Sequence, residues 1–139
     1  MSDLVSLSET ELAEILAETP MARFMNIEID AWRPVESSLT CTMPMRDELS
    51  NLPDCSSYHG GAIAALIDTT TCFVVIGMGV ETCPTLGIQV DYLRPAVNTA
   101  LMCVASIRRL GSRTSTVDAD VFNEKGQLVA VGRCGFLVS

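Results

Sequence analysis

The tripeptide His59-Gly60-Gly61 and the carboxylate Asp68, nine residues after the histidine, are the groups in this sequence best suited to chemistry. Two glycines at the start of a helix expose backbone N–H groups, and these groups, with the positive end of the helix dipole, can stabilise a developing negative oxygen. An ionised carboxylate in an apolar run is costly unless it is paired, hydrogen-bonded or protonated. Together the two features predict a hydrolytic site on one helix. A purely structural Asp68, facing a solvated gap beside Thr69, is the alternative.

The helix that must position these groups is predicted over Gly60 to Gly79, where the residues are apolar on nearly every face. A helix of this composition is expected to be covered on all sides. One antiparallel sheet covers only part of a helix, so a second subunit is expected to cover the remainder.

The rest of the chain supplies two short helices and a sheet. The capping box at Ser8–Glu11 and the pair Thr19-Pro20 predict a helical lead-in over residues 1–26, while the polar segment Pro44–Tyr58 is expected to be a loop. Alternating polarity and turn residues predict extended segments at Ile27–Met43 (bent at Arg33-Pro34), from Pro84-Thr85 to Tyr92, and at Ala100–Arg109, Arg113–Asn123 and Gln127–Val138. One sheet with one buried helix is the α+β class, here in a single domain spanning residues 1–139.

Composition argues against several kinds of protein. With 48% hydrophobic and 19% charged residues, the chain is not a disordered one. A formal net charge of −8 disfavours a basic face for nucleic acid. No run is expected to serve as a membrane span, and Asp3 and Glu9 stand where a signal peptide would be positively charged, so a cytoplasmic protein is expected.

The cysteines do not form a metal-binding pattern. No two are separated by two to four residues, and His59 is the only histidine, so a zinc site is disfavoured. We expect them to be small core residues of a protein in a reducing compartment, at Cys41, Cys55, Cys72, Cys83, Cys103 and Cys134.

Three motifs in order resemble a known family. The run from His59 to Asp68 resembles the HGG-x6-D signature of hotdog-fold acyl-CoA thioesterases of the phenylacetate-pathway (PaaI-like) group. Val90–Ala96 resembles that group's strand ending in an aromatic residue and Arg-Pro-Ala, and Arg108–Arg113 is similar to its Gly-x-Arg turn. The resemblance covers roughly Pro20 to Val138 and implies a hotdog fold, in which an antiparallel sheet wraps around one long helix.

The resemblance also implies roles for the catalytic positions. Asp68 would activate water or attack the thioester carbonyl, and the Gly60 N–H would polarise that carbonyl, with His59 shaping the loop before it. Thr85 would orient the water, although simple β-propensity explains a threonine there equally well. Asn51 is a further candidate, at eight residues before His59 instead of the family's usual five or six.

Substrate binding is implied for two other segments. The stretch containing Tyr92, Arg94, Pro95, Ala96 and Val97, together with Gly61, would line the channel for coenzyme A. The turn with Arg109, Gly111, Ser112 and Arg113 would meet the nucleotide phosphates, which suit a guanidinium fork. Neither a metal nor a redox cofactor is implied, because coenzyme A is part of the substrate.

The leading interpretation is therefore a homo-oligomeric acyl-CoA thioesterase, a homodimer or a dimer of dimers (homotetramer), with active sites between subunits. A hotdog hydro-lyase that uses His59 as its base and a non-catalytic acyl-CoA binding module are the alternatives. Neither the modest aromatic content nor the candidate pocket residues identify the acyl group.

Overall fold

The computed structural model describes residues 3–53 and 55–138, apart from the side chain of Cys55. Within these residues the chain forms three α-helices and eight β-strands. They are α1 (Glu9–Glu18), α2 (Pro20–Phe24), β1 (Glu28–Arg33), β2 (Ser38–Met43), β3 (Ser50–Leu52), β4 (Cys55–Tyr58), α3 (Gly60–Gly77), β5 (Thr85–Tyr92), β6 (Leu101–Leu110), β7 (Thr114–Phe122) and β8 (Leu128–Leu137).

The predicted lead-in helices are confirmed. Ser8 caps α1 through both bonds of a capping box: the Glu11 N–H donates to the Ser8 hydroxyl at 3.1 Å, and the Ser8 N–H donates to the Glu11 carboxylate at 2.8 Å. Pro20 begins α2, where its missing N–H costs nothing. Asn26, with a φ of +55°, turns the chain out of α2 toward β1.

Six strands form one antiparallel sheet in the order β1-β2-β6-β7-β8-β5. Strand β5 does not lie beside β6, which follows it in sequence; instead it forms the sheet edge against β8, with Thr85 opposite Phe136 and Tyr92 opposite Ala130. The long helix α3 packs against one face of this sheet, and the α+β class is confirmed.

Close contacts hold α3 to its neighbours. A Cβ atom at Gly77 would lie 2.7 Å from the Trp32 ring, and one at Gly132 would lie 2.9 Å from the Ile67 side chain, so both positions require glycine for this packing. Ile67 and Leu66 are fully buried at the interface, and each such side chain stabilises the fold by roughly 1.5–3 kcal/mol.

One face of α3 stays partly open within the chain, as expected for a helix that a single sheet covers only in part. Gly61 is exposed, and Ala65, Asp68 and Cys72 are half-buried. Their spacing of three or four residues places them in one row along the helix, called here the helix stripe. The sheet accounts for the opposite face of α3 but leaves the stripe to be covered by something else.

The predicted loop over Pro44–Tyr58 is wrong in part. It contains a single 3-10 turn at Asp47–Leu49 and the two-stranded β3–β4 hairpin. The Tyr58 hydroxyl donates to the Thr99 carbonyl at 2.8 Å, and the Tyr58 N–H donates to the Ala96 carbonyl at 3.0 Å. These bonds tie the hairpin to the segment that follows β5.

The cysteine prediction is confirmed for four residues. Cys41, Cys103 and Cys134 are fully buried and Cys83 nearly so. Desolvation raises the pKa of Cys41 to about 12, as expected for a thiol in an apolar core. Cys72 is only half-buried, and the side chain of Cys55 lies outside the described part of the chain.

The expectation that no segment matches a membrane span needs a correction. By length and composition alone, α3 qualifies, with 18 residues and a mean hydropathy of 1.6. Its packing against the sheet gives these apolar residues another explanation, because 56% of the helix is buried inside the chain.

Candidate active site

The N-terminus of α3 presents a backbone donor. His59 is the N-cap of the helix, and its Nδ1 accepts a hydrogen bond from the Gly61 N–H at 2.8 Å. Within residues 3–53 and 55–138, the Gly60 N–H donates to no acceptor. It is therefore available, at the positive end of an 18-residue helix, for an oxygen that gains negative charge.

Tyr92 holds this helix terminus against the sheet edge. Its hydroxyl donates to the Gly60 carbonyl at 2.6 Å, so the last residue of β5 is attached to the first residue of α3. A Cβ atom on Gly60 would lie 3.3 Å from the Tyr92 ring and hydroxyl, tighter than most real contacts. The glycine lets α3 and β5 approach this closely.

A cavity of about 460 Å³ opens beside the glycine. The β3–β4 hairpin forms one wall, and the His59 N–H anchors the turn before it by donating to the Leu49 carbonyl at 2.7 Å. The segment after β5 forms another wall. The residues lining the cavity are Asn51, Ser57, Tyr58, Gly60, Ile63, Tyr92, Leu93, Arg94, Pro95 and Ala96. We call this cavity, together with the helix terminus formed by His59 and Gly60, the glycine end of the site.

A second constellation lies farther along the helix, and we call it the carboxylate end. The Thr85 hydroxyl donates to the Asp68 Oδ1 at 2.8 Å, which joins the middle of α3 to the first residue of β5. Asp68 follows Gly60 by eight residues, so the two are about 12 Å apart along the helix axis. Within one chain, a single reacting carbonyl cannot contact both.

The surroundings of Asp68 differ from the expectation of a buried carboxylate. It belongs to the helix stripe and is half-buried, because the sheet packs on the other side of α3. The negative charge of Asp68 nevertheless acts on the core. Burial raises the pKa of Cys134 to about 11, and the Asp68 charge adds to this effect. The Thr85 bond gives one carboxylate oxygen a fixed direction.

The predicted phosphate turn lies apart from the cavity. Arg109, Gly111, Ser112 and Arg113 connect β6 to β7 at the end of the sheet that carries Thr85, because Thr114 pairs with Leu137 next to the Phe136–Thr85 pair. The turn is tight: the Gly111 N–H donates to the Thr114 carbonyl at 2.9 Å, and a Cβ on Gly111 would lie 2.7 Å from the Arg109 guanidinium.

Three further predicted positions stand outside the cavity. Val97 bridges to Ser57 and is exposed. Gly61 and His59 face a separate groove of about 200 Å³, whose apolar wall comes from α2 and includes Met21 and Phe24.

The cavity also contains Ser57 and Ile63, which had no predicted role and flank the His-Gly-Gly run on either side. Leu93 lines it within the predicted stretch that follows Tyr92. Their nearness to recognised positions was a usable signal. No signal in the sequence could have predicted the hydrogen bond from Tyr92 to the Gly60 carbonyl, because that bond depends on how β5 is placed against α3.

The opposite face of the sheet carries charged residues away from both ends. Arg133 donates to Asp118 through two bonds of 2.6 and 3.1 Å, and this pairing holds the pKa of Asp118 below its usual range. Asp120 is exposed beside them. In the described ranges, no three His, Cys, Asp or Glu side chains are grouped as metal ligands would be.

Known proteins resemble this chain in sequence and in fold. The sequence profile of the thioesterase superfamily matches residues 57–130, a range that contains Gly60, Asp68 and Thr85. No curated protein matches the chain by sequence.

Solved structures share the fold over nearly the whole chain. A thioesterase from Haemophilus influenzae is 23% identical, with a TM-score of 0.85 and coverage of 97% of this chain and 92% of that one. The Escherichia coli PaaI protein of the phenylacetic acid degradation operon is 23% identical, with a TM-score of 0.82 and coverage of 94% and 93%. A hypothetical thioesterase from Streptococcus pneumoniae, solved with coenzyme A, is 25% identical, with a TM-score of 0.75 and coverage of 84% and 90%. The expected hotdog fold is confirmed.

Proposed function

This chain belongs to the thioesterase superfamily, and on that premise we propose that it hydrolyses an acyl-CoA thioester to a free acid and coenzyme A. The observation that carries the proposal is the placement, on one helix, of an unused N–H at Gly60 and a carboxylate at Asp68 that Thr85 orients. The likeness to a hypothetical thioesterase solved with coenzyme A supports a coenzyme A ester as the substrate class.

The chemistry divides between the two ends of the site. The thioester oxygen accepts a hydrogen bond from the Gly60 N–H, which stabilises the negative charge that forms when the carbonyl is attacked. Asp68 either removes a proton from the attacking water or attacks the carbonyl itself. The carbon–sulfur bond then breaks, and the coenzyme A thiolate takes the proton that Asp68 removed from the water. If Asp68 itself attacks, the thiolate takes a proton from solvent, and water then hydrolyses the acyl-aspartate anhydride to the free acid and Asp68.

Both ends reach one substrate if two chains combine. In the described part of the chain, β5 is an edge strand: it pairs with β8 on one side and with no strand on the other. Its apolar residues Leu86 and Ile88 are 61% and 43% exposed. Antiparallel pairing of β5 with the same strand of a second copy would bring Thr85 opposite Tyr92 of the partner subunit. Since Thr85 holds Asp68 and Tyr92 holds Gly60, each of two identical sites would join one glycine end to one carboxylate end.

We assign the coenzyme A moiety to the cavity at the glycine end and its phosphates to arginines. Arg94 lines the cavity. Arg109, near the end of β6, and Arg113, on the β6–β7 turn, lie at the Thr85 end of the sheet, which the proposed pairing of β5 would bring beside the glycine end of the second copy. A chain with a net charge of −8 needs such local positive groups to bind a polyanion. Association of two dimers into a tetramer, a cytoplasmic location, and catalysis without a further cofactor belong to the same proposal.

The geometry weighs against the two alternatives. A hydro-lyase would use His59 as its base, but Nδ1 already accepts the Gly61 N–H, so the neutral ring carries its proton on Nε2. A binding module gains nothing from the Asp68–Thr85 pair, because a carboxylate beside an acyl group costs desolvation without returning affinity.

A panel of acyl-CoA esters tests the proposal directly. We expect wild-type protein to release free thiol, measured with a thiol reagent. Asp68→Asn protein prepared in the same way controls for contaminating thioesterase. A change in alkene absorbance without thiol release would indicate a hydro-lyase. Saturable binding with no reaction across the panel would indicate a binding module. Either result contradicts the proposed hydrolysis.

A further inference from the structure

Two thiols meet beside the carboxylate end. The Sγ atoms of Cys72 and Cys83 are 2.9 Å apart, and each sulfur also approaches the other residue's carbonyl, at 3.8 and 3.5 Å. Cys72 belongs to the helix stripe, one turn beyond Asp68, and Cys83 precedes Thr85 by two residues. The pair therefore spans the same two elements, α3 and the start of β5, that the Thr85–Asp68 bond joins.

We propose that Cys72 and Cys83 are a modification site, a dithiol that a peroxide converts reversibly into an intramolecular disulfide beside the active site. A thiolate attacks one peroxide oxygen, which gives a sulfenic acid and expels the other oxygen, as water after protonation. The second thiol then attacks the sulfenic sulfur and expels a second water. Two thiols lose two electrons to the peroxide, and one disulfide and two waters form.

The geometry favours this pairing over others. A disulfide bond is about 2.05 Å long, so the two sulfurs need to approach by less than about 1 Å. Cys72 is half-buried within one chain, so it is the more exposed of the two thiols. Cys41, Cys103 and Cys134 are fully buried.

The hydrogen bond between the two thiols favours ionisation of one of them. It lowers the pKa of Cys83, whereas the same bond, together with burial, raises the pKa of Cys72. The thiol that accepts this bond ionises before its partner, and thiolates are the form that reacts with peroxide.

The disulfide would act as a tether on the connection that presents Thr85. It would close the loop from Cys72 to Cys83, which includes Gly79 at a φ of +100°, and remove conformational freedom from the unfolded chain. Because the required shift is small, the Thr85–Asp68 bond survives. Oxidised protein should keep its thioesterase activity and gain thermal stability.

The experiment treats the assembled wild-type protein with hydrogen peroxide, blocks the remaining thiols under denaturing conditions and maps the peptides. We expect a Cys72–Cys83 linked peptide within one chain, a mass loss of about 2 Da that dithiothreitol reverses, and a rise in Tm on the order of 5 °C. The Cys134→Ser variant, which keeps the pair, should behave like wild type, and Cys83→Ser should show none of these changes.

Other products would overturn the proposal. These are a Cys72–Cys134 bond, a bond between two chains, or further oxidation of single cysteines without a disulfide. A mapped Cys72–Cys83 bond that leaves Tm unchanged would refute the tether. Peptide mapping of wild-type protein decides between these outcomes even where a variant fails to fold, and it does not depend on thioesterase activity.

Discussion

The glycine end and the carboxylate end lie on one helix but are built differently. At the glycine end, the reactive group is a backbone N–H, and its position follows from the helix itself, from the His59 cap and from the Tyr92 bond. At the carboxylate end, the reactive group is a side chain of the helix stripe, directed by a single hydroxyl from another element. A backbone donor survives most side-chain substitutions, whereas a carboxylate is lost with one.

This difference separates what each end contributes. The glycine end carries a cavity and a fixed donor within one chain, so it has the attributes of a binding site. At the carboxylate end, the reactive side chain is half-buried on the helix stripe and is directed by Thr85. We infer that the first binds and polarises substrate while the second supplies the reacting group, and substitutions at each end should separate these roles.

The largest effect is expected at the carboxylate end. Asp68→Asn keeps the shape of the side chain and removes its basicity, so kcat should fall at least about 100-fold while the fold remains intact. Steady-state thiol release and circular dichroism measure the two quantities. Asp120→Asn, an equally conservative change on the opposite face of the sheet, should leave kcat within about twofold. Near-normal kcat in folded Asp68→Asn protein would contradict the assignment.

The glycine end should lose about 100-fold in kcat when its donor is removed. Gly60→Pro deletes the N–H at a helix position that tolerates proline. Gly60→Ala is the matched control, because it places the same Cβ 3.3 Å from Tyr92 but keeps the N–H. The ratio of kcat between these two variants measures the donor alone, and equal losses would show that crowding at Tyr92 causes the defect.

Mixing the two inactive chains tests whether the ends belong to different subunits. In a heterodimer of Asp68→Asn and Gly60→Pro chains, one of the two sites has both residues intact, so thiol release should return. Mass spectrometry of the intact dimers verifies that the two kinds of chain have exchanged, because the heterodimer has a mass between those of the two homodimers. Exchange without recovered activity would favour a site built within one chain.

A smaller effect is expected for the residue that orients the carboxylate. Thr85→Val removes the hydroxyl and keeps the shape, so kcat should fall about tenfold, since a hydrogen bond to a charged group contributes about 1.5 kcal/mol or more. Thr85→Ser should restore most of the rate and KM should change little in both. If Thr85→Val matches wild type, the threonine serves only as a strand-forming residue.

The smallest effect is expected on substrate affinity at the β6–β7 turn. Arg113→Ala should raise KM for acyl-CoA several-fold, in line with one exposed charge–phosphate contact, and leave kcat unchanged. The KM of wild type should also rise with salt. A pantetheine thioester lacks the nucleotide and should be affected less, whereas equal losses on both substrates would assign Arg113 a structural role.

Local signals explain how much of this molecule could be predicted. The Ser8 cap, the alternating strands and the glycine-bounded apolar run all act over a few residues, and α1, α3 and β5–β8 appear where they indicate. The β3–β4 hairpin was missed because its polar strands of three and four residues have too few side chains for a period to show. Its stability comes from remote bonds, such as that from Tyr58 to Thr99.

The candidate site divides in the same way. The HGG-x6-D spacing reflects positions along one helix, so the separation of Gly60 and Asp68 follows from sequence. The half-burial of Asp68 could not be predicted from sequence, because it depends on which face of α3 the sheet covers. The Thr85–Asp68 and Tyr92–Gly60 bonds require the placement of β5, which no local pattern specifies.

The position of β5 against β8 also determines when the molecule can be completed during synthesis. Thr85 pairs with Phe136, which follows it by 51 residues, so α3 and β5 leave the ribosome well before β8, the strand that fixes their edge of the sheet. Contacts between such distant residues carry a loop-closure cost and slow folding. The nascent chain must keep its most apolar helix in solution until β8 arrives, which makes this interval the point at which a chaperone would matter most.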